Sequence, residues 1–275
     1  MYIDYRDKKE IGNTGEFVSA IGLGTWRIKD YDTAYKTFLH AFESGIDNVD
    51  TAEIYDSGRA EEFVGRVVKA FGRDNIFITT KLAPYSLSDK YSAVKAAENS
   101  LKRLGIKYVD LILIHWSEPS LNLVNQIRNL EYLITRGYTR YIGVSNFTVS
   151  ELDIAIENLS KHDIVVNQVK YSILDKRVER EGLLDYCIRN KISIHAYTPL
   201  EGGLVAHNEI LKQVGEKYNK SPIQIALNYL ISHTRVIAIP KTENEEHLTE
   251  IINSMGWRLD QRDLDILSTI EDILY

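Results

Sequence analysis

The chain has 275 residues and is 44% hydrophobic, enough to bury a sizeable core. Its 33 basic and 39 acidic residues leave a net charge of −6 with no basic run, which argues against a nucleic-acid partner. A single cysteine, Cys187, excludes an intrachain disulfide, and the longest apolar run, 111–114, falls far short of the ~20 residues of a membrane span.

The first ten residues are charged and lack the apolar core of a signal peptide, so a reducing, cytoplasmic setting is expected. Gly12-Asn13-Thr14-Gly15 reads as the turn of an N-terminal β-hairpin. A first barrel strand is expected over 19–26; its Gly22 and Gly24 lack the third glycine of a dinucleotide fingerprint, since Arg27 stands there. Helical patterns then stop at Gly45, Gly72, Gly105 and Gly137, each placed to cap a helix in the left-handed conformation. Short β-branched strands follow at 48–52, 76–82, 109–116 and 141–147. Further strands are expected at 164–171, 192–200 and 236–241. Thr148 with Glu151, and Ser221-Pro222 with Gln224, read as capping boxes. One more helical pattern (Leu264, Leu267, Ile270) falls within 259–275. The strands are apolar nearly throughout, as in a parallel sheet covered on both faces. Eight of them, repeating every ~30 residues with helices between, predict one domain, 1–275, folded as a (β/α)8 TIM barrel; an open doubly wound sheet is the alternative.

Active sites of such barrels lie at the carboxyl ends of the strands. Polar residues recur there: Asp50 with Tyr55 after it, Lys81, His115, Ser145 with Asn146, Gln168, Tyr197, and Lys241 with Thr242. Each alone has an ordinary reading as a turn residue, a solvated strand end, a core histidine or one of many tyrosines. Together, in strand order, Asp50, Tyr55, Lys81 and His115 form a proton-transfer set. A free phenol has a pKa near ~10; a lysine ammonium beside Tyr55 is expected to lower it, with Asp50 holding that lysine charged and His115 orienting a substrate oxygen. Such a set suits carbonyl reduction, with Tyr55 protonating oxygen while hydride reaches carbon. Side chains cannot donate hydride, so a nicotinamide or similar cofactor is implied. No His, Cys and carboxylate cluster has metal-ligand spacing, and no metal is expected.

The ordered motifs resemble the aldo-keto reductases over nearly the whole chain: Ile21-Gly22-Leu23-Gly24-Thr25-Trp26, Asp50-Thr51-Ala52-x-x-Tyr55, Gly58-Arg59-Ala60-Glu61-Glu62 with Gly65, Thr80-Lys81, Ile114-His115-Trp116, Gly143-Val144-Ser145-Asn146-Phe147, Asn167-Gln168, Ala196-Tyr197-Thr198-Pro199-Leu200 and Ile239-Pro240-Lys241-Thr242. The resemblance implies reduction of aldehydes or ketones by NAD(P)H, with NADP(H) favoured over NAD(H), and makes Asp50, Tyr55, Lys81 and His115 the catalytic tetrad. It implies that Ser145, Asn146 and Gln168 hold the nicotinamide carboxamide and that Tyr197 stacks on the ring. Thr198, Pro199, Leu200 and Gly202 then follow the pyrophosphate, and Lys241 and Thr242 meet the adenosine ribose phosphate. Gly24, Thr25, Trp26, Asp50 and His247 complete the cofactor set, and Trp26, Tyr55, His115 and Trp116 line the substrate mouth. The chain departs from the pattern at Asp56, where glycine commonly follows the tyrosine, at His247, in place of a phosphate-binding arginine, and at Ile251, in place of an asparagine. Histidine is neutral above about pH 6.5 and lacks the guanidinium fork, so His247 narrows the expected NADPH preference. Two other functions fit the same sequence: a cofactor-binding regulatory subunit with little turnover, and an isomerase or aldolase using Lys81 as a Schiff base.

Overall fold

The computed structural model describes residues 3–272; the first residues of the charged N-terminus and the end of the last helical pattern lie outside the described residues. The hairpin pairs β1 (Lys8–Glu10) with β2 (Phe17–Ser19), antiparallel, Lys9 opposite Val18. It closes the amino-terminal end of a barrel. Ile11 and Val18 pack with Phe77, Leu111, Leu113, Val166 and Ile237 inside that end. Ser193 fastens the hairpin there, accepting from Gly12 N at 2.9 Å and donating to Glu10 O at 2.7 Å.

Eight parallel strands follow in chain order: β3 (Leu23–Gly24), β4 (Asn48–Asp50), β5 (Phe77–Leu82), β6 (Val109–Ile114), β7 (Thr139–Ser145), β8 (Ile164–Lys170), β9 (Ser193–Tyr197) and β10 (Val236–Ile239). Each pairs with its sequence neighbour. The sheet closes because the chain ahead of β3 returns to β10: Ile21 bridges Ala238, and Gly22 N and Gly24 N donate to Ala238 O and Pro240 O, both at 2.9 Å. This is the expected (β/α)8 barrel with its N-terminal hairpin, and the open sheet is excluded.

Helices cover the outside: α1 (Tyr31–Glu43), α2 (Arg59–Phe71), α3 (Lys90–Leu104), α4 (Leu123–Thr135) and α5 (Val149–Asn158) follow β3 to β7 in turn. Then α6 (Arg177–Arg180) and α7 (Leu183–Arg189) follow β8, α8 (Glu209–Tyr218) and α9 (Pro222–Ile231) follow β9, and α10 (Glu245–Ile252) and α11 (Gln261–Ser268) follow β10. The four expected glycine stops all have positive φ, and both capping boxes form. Among the described residues, no helix is long and apolar enough to cross a membrane.

The strands are shorter than expected at their carboxyl ends. The ladder stops at Asp50, Ile114, Ser145, Tyr197 and Ile239, where the chain turns out as loops. Asn146 (φ 61°) and Thr198 (φ 53°) adopt left-handed backbone, which ends pairing at the two strands they follow. The expected 19–26 strand is likewise reduced to two residues of ladder, because its glycine-rich stretch serves to close the barrel. The loops so formed all leave the same rim.

Candidate active site

On β5 one face runs Phe77, Thr79, Lys81 toward that rim. Lys81, near the end of β5, is wholly buried. Its ammonium donates to Asp50 Oδ2 at 2.7 Å, to Thr51 O at 2.8 Å and to the Tyr55 hydroxyl at 3.1 Å. Asp50 Oδ1 accepts from Gln168 Nε2 at 2.7 Å, so both carboxylate oxygens are engaged. Burial works against the lysine's charge, but Asp50 and Tyr55 more than offset it and hold the ammonium above its ordinary value. A buried ion pair needs such complete satisfaction to persist.

Tyr55 begins a 3₁₀ turn, Tyr55–Gly58, on the loop leaving β4. Its oxygen accepts from Lys81, which leaves its own O–H to donate elsewhere. Sequence reasoning expected the neighbouring lysine to lower the phenol's pKa. The net shift is upward: burial dominates and Asp50 adds to it, while Lys81 opposes both. The group is a neutral phenol. Its ring meets the His115 ring edge-on, centroids 5.5 Å apart. Burial, and then the charge of Lys81, push His115 down to about 3, so this imidazole is neutral. Its Nδ1 is buried without a hydrogen-bond partner among the described residues.

The four expected catalytic side chains are therefore in one group. Around it, Thr25 N and Oγ1 donate to Asp50 O at 3.0 and 2.9 Å, fixing the first barrel strand against the second. Gly24 is held against Pro240 O. Trp26 is half exposed, with the Arg27 guanidinium 4.1 Å over its ring. Trp116 lies beside His115, centroids 5.2 Å apart, and meets Tyr85 edge-on at 5.8 Å. Sequence reasoning missed Tyr85. It also missed Glu53, which holds the turn carrying Tyr85 by accepting from Ala83 N at 2.7 Å and Ser86 Oγ at 2.9 Å.

Asn146 Nδ2 donates to Ser145 Oγ at 3.1 Å, and its Oδ1 accepts from the Tyr197 hydroxyl at 2.9 Å. These three sit with Gln168 on adjacent strands. Their amides and hydroxyls supply both donors and acceptors, which fits a carboxamide, and the half-buried ring of Tyr197 fits a flat heteroaromatic partner. Beyond it, Thr198, Glu201, Gly202 and Gly203 all have positive φ, and Pro199 and Leu200 lie between them. Within this loop Glu201 N and Gly203 N donate back to Thr198 O and Leu200 O, at 3.1 and 2.8 Å. A second group gathers after β10, where Lys241 pairs with Glu243, Thr242 is bound to the Asn244 backbone, and His247 N donates to Asn244 Oδ1 at 3.0 Å. Asp56 takes the left-handed backbone (φ 47°) that glycine adopts freely, and accepts from the Tyr31 hydroxyl at 2.9 Å.

Residues 20–272 match the model of the aldo/keto reductase family. The chain belongs to the aldo-keto reductases. It is 34% identical over 252 residues to a glyoxal reductase of Bacillus subtilis, covering 90% of this chain and 87% of that one. Among solved structures, the thermostable aldo-keto reductase Tm1743, crystallised with the inhibitor epalrestat, superposes with a TM-score of 0.89 at 36% identity, covering 95% of this chain and 98% of the other. An aldo-keto reductase of Klebsiella pneumoniae, crystallised with NADPH, gives 0.85 at 28% identity over 98% and 99%.

Proposed function

We propose that this aldo-keto reductase reduces small aldehydes or ketones to alcohols with NADP(H) in preference to NAD(H), Tyr55 acting as the general acid. One observation carries the reading: the buried Lys81 ammonium is hydrogen-bonded to both Asp50 and the Tyr55 oxygen, with a neutral His115 ring beside the same phenol. When bound, the nicotinamide supplies the hydride. Every other part is the protein's own. Ser145, Asn146 and Gln168 hold the carboxamide and Tyr197 backs the ring. The neutral His115 orients the substrate oxygen toward Tyr55, which gives up its proton as negative charge develops there. Lys81 stabilises the phenolate that results, and Asp50 keeps Lys81 in place. A positioned acid of this kind contributes ~10²–10⁴-fold to rate. Lys241, Thr242 and His247 form the adenosine end of the cofactor site. One support favours short, reactive carbonyls: the B. subtilis relative is a glyoxal reductase.

The test is consumption of NADPH with glyoxal, for the wild type and Tyr55→Phe together, alongside cofactor binding followed by protein fluorescence. Turnover by the wild type that disappears in Tyr55→Phe, with NADPH affinity retained, supports the assignment. Full activity in Tyr55→Phe refutes it, and a wild type that binds NADPH without turning over would favour a regulatory role.

A further inference from the structure

The loop after β10 holds a carboxylate that the reaction does not use. Glu243 lies two residues beyond Lys241, and its side chain is largely buried. Its Oε1 accepts from Lys29 N at 3.0 Å and from the Lys241 ammonium; its Oε2 accepts from Asp30 N at 2.8 Å. Its backbone carbonyl accepts from Thr37 Oγ1 at 3.1 Å. Burial acts to raise the Glu243 carboxyl, but Lys241 and the two N–H donors bring it below its ordinary value. Glu243 is thus an anion fixed from three sides, with the loop before α1 and α1 itself holding it.

Its surroundings are acidic. Asp30 caps α1, and Glu245 and Glu246 open α10, Glu245 facing His40 Nδ1 at 2.5 Å. Thr242 is also engaged: its hydroxyl donates to Asn244 O at 3.2 Å and accepts from Asn244 N at 3.0 Å. The two side chains assigned above to the cofactor's extra phosphate are therefore both committed within their own loop.

We propose that Glu243 is the residue that sets this chain's discrimination between the phosphorylated and unphosphorylated cofactor. The inference rests on the cofactor reading above. A phosphate on the adenosine ribose must share Lys241 with a carboxylate that cannot swing away, and that carboxylate repels the phosphate directly. The adenosine without the phosphate meets neither effect. The margin for NADP(H) over NAD(H) is accordingly narrow.

The experiment uses 2′,5′-ADP and ADP, which carry the adenosine end without the nicotinamide. Their dissociation constants are measured by calorimetry for the wild type, Glu243→Gln, Lys241→Met and the double variant, with NADPH binding to the wild type as reference. Glutamine keeps an oxygen for the backbone donors and removes the charge. Glu243→Gln is expected to raise the preference for 2′,5′-ADP over ADP by about tenfold, the size of one charge-assisted hydrogen bond made available, and Lys241→Met is expected to abolish the gain. An unchanged preference in Glu243→Gln, with NADPH still bound by the wild type, overturns the proposal and leaves the enzyme reading intact. Failure of the wild type to bind NADPH overturns both. If Glu243→Gln does not fold, Lys241→Met decides alone: a fall in preference below about threefold fits a lysine already neutralised, and a larger fall overturns the proposal.

Discussion

The Asp50–Lys81 pair is the strongest place to test the reasoning, because its geometry makes a quantitative demand. Lys81's side chain is 1% exposed and Asp50's 9%. Lys81→Met removes one charge and leaves the Asp50 carboxylate with Gln168 and no cation. Asp50→Asn removes the counter-charge and leaves the ammonium among neutral acceptors, the Thr51 carbonyl and the Tyr55 oxygen included. Breaking a buried pair from one side costs about 3–5 kcal/mol, because the remaining charge stays desolvated. In a chain of this size that lowers the melting temperature by roughly 6–20 °C. The double variant buries no charge, so its loss should be smaller than the sum of the singles by at least about 2 kcal/mol. Urea unfolding without cofactor, which excludes stabilisation by ligand, measures all four proteins. Activity should behave differently: each variant loses ~10²–10⁴-fold in kcat/KM, and the double variant recovers stability without recovering rate. Additive stability losses, within about 0.5 kcal/mol, would refute the claim that the two groups form one buried unit.

Two further outcomes follow from the protonation states. Tyr55 must be protonated to act as an acid and burial raises its pKa, so kcat/KM for aldehyde reduction should hold to alkaline pH and decline only above about 10. His115, pushed down to about 3, should add no limb near pH 6.5; such a limb, removed by His115→Asn, would contradict the neutral ring. At the N-terminus, burial pushes Lys9 down to about 8, although Asp4 holds it at 2.9 Å. Between about 8 and 10.5 the unfolded chain binds the proton that the folded chain has released, so this residue's contribution to stability rises with pH across that window. Thermal melts from pH 7.5 to 10.5 should show the rise in the wild type relative to Lys9→Met; parallel curves would remove Lys9 as its source.

The periodic part of this molecule could be read from its sequence, because it depends on local rules. The glycine stops at Gly45, Gly72, Gly105 and Gly137, the caps at Thr148 and Ser221, and the apolar strands each report their own few residues. The grouping of Asp50, Tyr55, Lys81 and His115 could also be read, since strand order alone carries Asp50, Lys81 and His115 to one rim. The sign of the Tyr55 shift could not. A neighbouring lysine is visible as a residue type, whereas burial depends on how β4, β5 and β6 pack together, and burial outweighs the lysine. Burial keeps this phenol protonated near neutrality at a cost in acid strength, and Lys81 opposes that cost by stabilising the phenolate as the proton leaves.

Glu243 escaped for a related reason. Lys241-Thr242-Glu243-Asn244 reads locally as a basic residue entering a helix cap, and nothing nearby in sequence marks Glu243 as a partner of Lys29 and Asp30, more than 210 residues earlier. That contact exists because β10 closes the barrel against the chain ahead of β3, which brings the loops after the first and last barrel strands side by side. Barrel closure thus does two things here. It completes the sheet, and it places an acid from the last barrel loop where the backbone of the first can fix its charge. Fixation is what gives the carboxylate influence, since a mobile glutamate would turn to solvent as an anion approached. The same closure that makes the fold makes the proposed adenosine end less positive than Lys241 and Thr242 alone suggest.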